Sequence, residues 1–216
     1  MLYLRCSSHV KARVVPPPVN SSCSPLTPAS SPCTMGPLAR YAVNVASTTD
    51  VQKVLYLTDK QNIRLAIRNT GYDFMGKSPG PAAVAFWTHH LKLVQSMPGY
   101  IRYSGPTMRI GAGIQGSKAQ NAAHKSGFVI VTGHYPDIRI AGGYTQGGGH
   151  GPLGSRYRLD KLLEWEVVTA TGEVLIASPT QNVDLYWALS GGGGGTFTVV
   201  LIRRRKQHRR FSRLYP

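Results

Sequence analysis

Three glycine-rich segments are the parts of this sequence best suited to bind a ligand through the backbone, because glycine allows a close approach. They span residues 69–78, 141–151 and 191–195. The first follows an apolar run, as do many loops whose exposed amides bind phosphate. In the second, seven of eleven residues are glycine or alanine. None matches GxGxxG or a P-loop, which disfavours a Rossmann fold, whereas an extended cofactor contacted at several places would explain the pattern.

Cysteine and histidine are the other candidate chemical groups. Cys6, Cys23 and Cys33 contain no CxxC pair, which argues against zinc. Cys23 and Cys33 could form a disulfide in a secreted protein. His134 and His150 lie near or within the second glycine-rich segment, where each is either a polar loop residue or a neighbour of a bound group.

A β-α-β unit is expected to position the first glycine-rich segment. Residues 41–45 alternate apolar and polar side chains, as a half-buried strand does, and Ser47 with Asp50 resembles a capping box at the start of a helix. An apolar run at 63–68 predicts a second strand, parallel to the first. The segment 69–78 then leaves the end of that strand.

The rest of the chain predicts a strand-rich α+β domain. The expected strands are residues 83–87, 108–112, 128–131, 162–169, 174–177 and 196–200, and the expected helices are residues 117–125 and 184–189. Gly127 should end the first of these helices, and residues 162–177 should form a β-hairpin.

The net charge of +16 is concentrated at the end of the sequence. Seven of the 25 basic residues lie in the last 14, whereas residues 1–202 hold 18 basic and 9 acidic groups. We therefore expect a solvated basic tail at 203–216, able to attract polyanions but accompanied by no nucleic-acid-binding motif. Residues 1–38, rich in proline and serine, predict an irregular arm. The sequence has no apolar run long enough for a membrane span and no signal-peptide pattern at its start.

Four blocks of the sequence together resemble the FAD-binding half of the vanillyl-alcohol oxidase and p-cresol methylhydroxylase (PCMH) superfamily. These blocks are residues 69–78, 141–157, 163–168, and 184–189 leading into five glycines. The sequence is most similar to the fungal, berberine-bridge-enzyme-like FAD-linked oxidases. The resemblance extends from about residue 20 to residue 201.

This resemblance implies an α+β, two-subdomain PCMH-type FAD-binding fold over residues 39–202. A small parallel α/β subdomain would span 39–104, and a larger subdomain with a mostly antiparallel sheet would span 105–202. FAD would lie extended between them. In the family a substrate domain and a returning segment follow, whereas here the pattern stops after Leu201. We therefore expect a truncated chain in which the substrate domain and the catalytic base are absent.

The resemblance also assigns the contacts with FAD. The loop 68–78 would surround the pyrophosphate, the segment 133–149 would contact pyrophosphate and flavin, and the turn into 196–200 would approach the adenine. The expected cofactor-binding residues are Arg68, Asn69, Thr70, Gly71, Tyr72, Asp73, Gly76, Lys77, Ser78, Gly133, Tyr135, Pro136, Ile138, Gly142, Gly143, Tyr144, Gly147, Gly148, Gly149 and Val199.

Three residues depart from the family pattern. Tyr72 stands where relatives commonly attach the flavin through a histidine, and Tyr135 stands where many use a cysteine. Because tyrosine is not the usual nucleophile for either bond, we expect FAD to be bound non-covalently. Arg158 replaces a glycine of the relatives, which predicts strain in its turn.

The function implied by the resemblance is that of an FAD-dependent oxidoreductase. In relatives, which are secreted, an oxygen-dependent oxidase moves hydride from an alcohol or amine-type carbon of a small molecule to flavin N5. One alternative is a truncated, non-catalytic FAD-binding remnant, and a second is polyanion binding by the basic tail. Glu164 and Glu166 are expected to be structural. We assign no catalytic residue and no metal, and we expect neither a specific nucleic acid nor a membrane as partner.

Overall fold

The structure, a computed structural model, describes residues 28–34, 38–73, 76–78, 80, 82–151 and 162–209. The chain divides into two compact units, one ending at His90 and the other beginning at Leu91. This division precedes the boundary expected at residue 104, because residues 94–97 already form a strand of the second unit's sheet. The strain predicted at Arg158 falls outside the described residues.

A parallel sheet forms the first unit, as the β-α-β pattern predicts. Its strands are β1 (Tyr41–Asn44), β2 (Leu65–Arg68) and β3 (Val84–Trp87). They lie in the order β1-β3-β2, and both neighbouring pairs are parallel. The central strand β3 therefore separates the two strands that the sequence pattern joins through a helix.

Helix α1 (Thr48–Lys60) begins at the predicted capping box. The Asp50 amide donates to Ser47 Oγ at 3.2 Å, and the Ser47 amide donates to Asp50 Oδ2 at 2.9 Å. Residues three and four positions apart share one face of a helix. The buried face of α1 accordingly consists of Val51, Val54, Leu55 and Thr58.

Five antiparallel strands form the main sheet of the second unit, in the order β4-β5-β9-β7-β8. These strands are β4 (Val94–Met97), β5 (Thr107–Gly111), β7 (Leu162–Val168), β8 (Val174–Ala177) and β9 (Val199–Lys206). A short ribbon pairs β6 (Phe128–Val129) with β10 (His208–Arg209). One parallel and one antiparallel sheet with few helices confirm the expected fold class.

Helices pack on this sheet and complete two core clusters. The helical segments are α2 (Gly116–Lys125), a π-helix (Ile140–Tyr144) and α3 (Val183–Leu189). One cluster joins β5, α2 and the π-helix through Met108, Ile110, Ala119 and Ile140. The other joins β7, β8 and α3 through Trp165, Ala177 and Leu189. Gly127, with a φ of +79°, follows α2 as predicted.

The prediction of a basic tail is wrong over residues 203–206, which continue strand β9. Arg203, Arg204 and Arg205 are only 2%, 9% and 6% exposed. Strand β9 pairs with β5 on one side and with β7 on the other, so these arginines lie inside the sheet. Polyanion binding by a solvated tail therefore loses three of its central cations, and the sheet extends beyond the boundary expected at residue 202.

Membrane and metal signals are absent from the part of the chain that the structure describes. There, no helix is long and apolar enough to cross a membrane. The same residues contain no group of three or more metal-ligating side chains. Most of the predicted arm lies outside the described residues, and residues 28–34 are exposed without helix or strand. Cys33 is disulfide-bonded.

Candidate functional site

The first candidate segment, residues 68–78, leaves the carboxyl end of β2. All three parallel strands end at the same edge, where Asn44, Trp87 and Arg68 are in register. Ligands of open parallel sheets bind outside this edge. The topology thus places the predicted loop where a ligand is expected.

The Arg68 side chain lies over the backbone of Gly71. A Cβ built on Gly71 would be 3.4 Å from both Nε and Nη2 of Arg68, and Gly71 has a φ of +93°. Glycine adopts this conformation without the strain that other residues incur. Arg68 is half-buried, and burial lowers the pKa of its guanidinium. It forms no ion pair with any carboxylate of the described chain, so its charge is uncompensated there.

Unsatisfied polar groups accompany this guanidinium. The Thr70 hydroxyl is buried and has no hydrogen-bond partner, and the amides of Thr70 and Gly71 meet no acceptor among the described residues. A buried hydroxyl normally has a partner, so a ligand or water is expected here. Thr88 anchors the loop: its Oγ1 donates to the Arg68 carbonyl at 3.2 Å and accepts from Asn69 Nδ2 at 2.8 Å.

Asp73 closes the second half of the loop. Its Oδ2 accepts hydrogen bonds from the amides of Lys77 and Ser78, the latter at 3.0 Å, and its carbonyl accepts from the Gly76 amide at 3.3 Å. These three amides are used within the chain. Because a carboxylate repels phosphate, this geometry favours a role for Asp73 in shaping the loop. Tyr72, just before it, is half-buried.

The second candidate segment, residues 133–149, is built around the π-helix. The Thr145 amide and the Thr145 hydroxyl both donate to the Ile140 carbonyl, at 3.2 and 2.8 Å. This five-residue span is wider than an α-helical turn. Single π-helical turns are rare in proteins, but those that occur often lie at functional sites.

The glycines of this segment leave its backbone accessible to a ligand. A Cβ built on Gly143 or Gly148 would meet no atom within 4 Å. The Gly147 and Gly148 amides donate to the Gly143 and Thr145 carbonyls at 2.9 and 3.0 Å, which folds the segment into a compact turn. A ligand can therefore approach this turn without meeting side chains.

The Tyr144 ring is held between two glycines. A Cβ on Gly133 would lie 3.0 Å from the ring, and a Cβ on Gly149 would lie 2.8 Å from it. The Tyr144 hydroxyl donates to the His150 carbonyl at 2.8 Å, and burial raises the pKa of the phenol. Tyr144 thus ties the two ends of the segment together.

The third glycine-rich segment packs against the second. The Gly193 amide donates to the Gln146 carbonyl at 2.8 Å, and a Cβ on Gly194 would lie 3.4 Å from Gly143 Cα. Gln146 is buried, and its Nε2 donates to the Gly142 carbonyl at 3.2 Å. The two segments that the sequence shows separately therefore form one continuous backbone surface.

The other predicted contacts have different surroundings. The Pro136 and Ile138 carbonyls accept hydrogen bonds from the first two amides of α2, at 3.1 and 2.8 Å, and so anchor that helix. Tyr135 is 48% exposed. Val199, at the start of β9, is buried and paired with Val168, so its side chain belongs to the core.

Sequence reasoning missed three residues that hold these segments. Thr88 anchors the first loop. In the second unit, Arg203 Nη1 donates to the Ile140 carbonyl at 3.2 Å, and Arg205 Nη1 donates to the Val131 carbonyl. The buried position of the two arginines could have been predicted from the apolar run directly before them. That run marks a strand, and the basic residues continue it.

The two carboxylates of β7 are engaged in ion pairs. Glu164 Oε1 lies 2.7 Å from Arg204 Nε, and Glu166 Oε2 lies 2.9 Å from Arg109 Nη2. The Tyr100 hydroxyl also donates to Glu164. These contacts confirm the prediction that both glutamates are structural.

Each of these two segments, taken by itself, has features that suit part of a dinucleotide with a charged pyrophosphate. Arg68 supplies an uncompensated positive charge, and the Thr70 hydroxyl lacks a partner within the described residues. Gly143 and Gly148 leave backbone open to a flat ligand. A parallel unit and an antiparallel unit, each with such a glycine-rich surface, define the FAD-binding domain of VAO-type oxidoreductases.

The comparison with protein families gives the same result. The family described as FAD binding domain matches residues 39–178, and this chain belongs to that family. Its cofactor is FAD, as expected from the sequence.

Curated relatives of the chain are FAD-linked fungal enzymes. The chain is 53% identical over 176 residues to FAD-linked oxidoreductase patO of Penicillium expansum. It is 50% identical over 176 residues to the VAO-type flavoprotein oxidase VAO615 of Thermothelomyces thermophilus. Each match covers 80% of this chain and 31% of the relative, so the chain spans about a third of the length of these proteins.

Solved structures confirm the two-subdomain PCMH-type fold. The VAO-type flavoprotein MtVAO615 of Myceliophthora thermophila has a TM-score of 0.82 and 49% identity, over 87% of this chain and 35% of that one. The 6-hydroxy-D-nicotine oxidase of Arthrobacter nicotinovorans has a TM-score of 0.71 and 25% identity, over 79% of this chain and 36% of that one.

Proposed function

We propose that this chain binds FAD non-covalently, with the pyrophosphate held by the loop that follows β2. Two observations on the same loop carry this proposal: the Arg68 guanidinium has no carboxylate partner among the described residues, and the Thr70 hydroxyl, two residues further on, has no hydrogen-bond partner there. The amides of Thr70 and Gly71 add two further donors. Phosphate groups accept hydrogen bonds from cationic and neutral donors at once, and bonds involving a charged donor are the strongest.

The second unit has a backbone surface of its own that suits the flat part of the cofactor. Gly143 and Gly148 leave room for a ligand against the turn after the π-helix. Cofactor pockets are mostly preformed surfaces with a few convergent polar groups. The fixed turn, tied by Tyr144 to the His150 carbonyl, supports this part of the proposal.

Tyr72 and Tyr135 support non-covalent attachment. Both occupy positions at which relatives carry the histidine or cysteine that bonds to the flavin. A phenol is a poor nucleophile for these bonds at neutral pH, since its ordinary pKa is about 10. We therefore expect acid precipitation to release the flavin into the supernatant.

For the whole protein we propose an oxidoreductase that acts on a small molecule at an alcohol or amine-type carbon. FAD, when bound, supplies the hydride acceptor. In this proposal the described residues of this chain bind and orient the cofactor. We assign no catalytic role to the two carboxylates of β7, because both are already in ion pairs. The disulfide at Cys33 supports a secreted protein, since disulfides persist in oxidising compartments.

Arg68→Met tests the proposal in the full chain. Loss of a charged hydrogen bond costs about 1.5–3 kcal/mol, so the Kd for FAD should rise roughly ten- to a hundred-fold. A fluorescence titration of FAD measures this Kd. Arg64→Met is the matched control. Arg64 is exposed and directly precedes β2, so its replacement should leave the Kd for FAD unchanged. Equal affinities for both variants and the wild type would show that the pyrophosphate lies elsewhere.

A further inference from the structure

Strand β9 carries a buried arginine inside the core of the second unit. Arg203 is 2% exposed and lies in register with Ile110 of β5 and Trp165 of β7. Successive side chains of a strand point to opposite faces. Arg203 therefore shares its face with these two buried side chains, whereas Arg204 is on the opposite face.

Arg203 is bonded to the π-helix of the cofactor-binding segment. Its Nη1 donates to the Ile140 carbonyl at 3.2 Å. The same carbonyl accepts from the amide and the hydroxyl of Thr145. Three donors thus converge on the oxygen that begins the π-helix, and one of them is charged. A charged donor strengthens such a bond.

Arg203 has no countercharge among the residues that the structure describes. It forms no ion pair with any described carboxylate, and its Nε has no hydrogen-bond partner. Burial, followed by the charge of Arg205, lowers its pKa well below the ordinary value. A buried charge without a partner destabilises a fold, so a buried apolar side chain of similar size would be expected to stabilise it.

We propose that Arg203 is a positioning residue for FAD, which holds the π-helix Ile140–Tyr144 in its wide form and places positive charge under the segment that binds the anionic cofactor. Arg205, on the same face, holds the chain just before that segment through the Val131 carbonyl. This inference rests on the proposed function. In this role the arginine contributes to cofactor binding, although its buried charge destabilises the fold.

The neighbouring Arg204 is a matched control. It is 9% exposed, on the same strand, and carries the same charge. It differs in facing away from the π-helix, where its Nε donates to Glu164 at 2.7 Å. Arg203→Met and Arg204→Met therefore change the net charge equally but remove different contacts.

The test measures the Kd for FAD and the Tm of the FAD-free chain for both variants. Arg203→Met should raise the Kd by about ten-fold, while its Tm stays equal or rises because a buried charge is lost. Arg204→Met should lower the Tm, since Glu164 loses its ion-pair partner and keeps only the Tyr100 hydroxyl, and leave the Kd within about two-fold of the wild type. Two results would overturn the inference. One is a Kd of Arg203→Met equal to that of the wild type, and the other is a higher Kd that appears only together with a lower Tm.

Arg203→Gln keeps the proposal testable if the methionine variant does not fold. Glutamine removes the charge, and because its side chain is two bonds shorter than that of arginine it also loses the Nη1 contact with the Ile140 carbonyl, while it stays polar. Weaker FAD binding by this variant supports the inference, and wild-type affinity contradicts it. Failure of the wild-type chain to bind FAD would instead contradict the proposed function, and the inference with it.

Discussion

Two arginines carry positive charge that no carboxylate of the described chain balances. Arg68 lies at the end of β2, and Arg203 lies in the core beneath the π-helix. Arg109 and Arg204, by contrast, are paired with glutamates of β7. An anionic ligand gains most from cations that no protein group already neutralises. Arg68 and Arg203 are therefore better candidates for binding an anionic ligand than Arg109 and Arg204.

Lys92 has an amine that should lose its proton at unusually low pH. Its Nζ donates to the Gly113 carbonyl at 2.8 Å, and burial, with the charges of Arg139 and Lys118, lowers its pKa to about 8. Acylating reagents attack the neutral amine, so the labelling rate of Lys92 should rise with pH and reach half its maximum near pH 8. Peptide mass spectrometry after short exposure to acetic anhydride measures this rate.

The charge of Lys118 provides an internal check on that titration. Lys118→Met removes one of the cations that lower the pKa of Lys92, so the midpoint of labelling should move to higher pH. Lys125→Met, in the last turn of the same helix, should leave it in place. A midpoint near 10 in the wild type, the ordinary range of lysine, would contradict the prediction.

At the scale of elements, the turn after the π-helix depends on one hydroxyl. Tyr144→Phe removes the hydrogen bond to the His150 carbonyl but keeps the ring between Gly133 and Gly149. A net hydrogen bond contributes about 0.5–1.5 kcal/mol, so the Kd for FAD should rise roughly two- to ten-fold. The fluorescence titration that serves for Arg68 measures this change.

Tyr56→Phe is the control for this substitution, because Tyr56 is 68% exposed on α1 and its hydroxyl forms no hydrogen bond with a described residue. Its Kd should match that of the wild type. If Tyr144→Phe also binds FAD as the wild type does, the hydroxyl does not set the shape of the binding turn.

Elements with local signals could be predicted from the sequence. The Ser47–Asp50 capping box begins α1, and Gly127 ends α2, because both signals act within a few residues. The hairpin of β7 and β8 was equally visible, with Gly172 at a φ of +83° in its turn. The first loop was placed correctly because a parallel strand determines the edge at which it leaves.

Strand β9 and the π-helix could not be predicted in this way. Residues 203–206 were interpreted as solvated because charge runs usually are, but β5 and β7 pair with them from distant parts of the sequence. The π-helix depends on donors from Thr145 and Arg203, the second of which lies far along the chain. Thr88 was missed for the same reason, since its bonds reach back to Arg68 and Asn69.

At the scale of the whole molecule, the chain combines an FAD-binding fold with a net charge of +16. Such a charge attracts any anion, and this general attraction is screened by salt. FAD affinity alone therefore does not distinguish the proposed site from general attraction. A comparison of FAD with a flavin that lacks the pyrophosphate does so when Arg68→Met and Arg64→Met, which lose the same net charge, are measured beside the wild type at physiological ionic strength.

FAD should raise the Tm of the whole chain, whereas riboflavin, which has the same ring but no pyrophosphate, should raise it far less. Binding to the native state alone stabilises by mass action, about 2.7 kcal/mol at a ligand concentration of 100 times Kd. Circular dichroism measures both shifts without interference from flavin fluorescence. In Arg68→Met the difference between the two ligands should shrink, because the variant loses the charge opposite the phosphates. Equal shifts with FAD and riboflavin in the wild type would mean that the ring alone is bound, and that the loop after β2 does not hold the pyrophosphate.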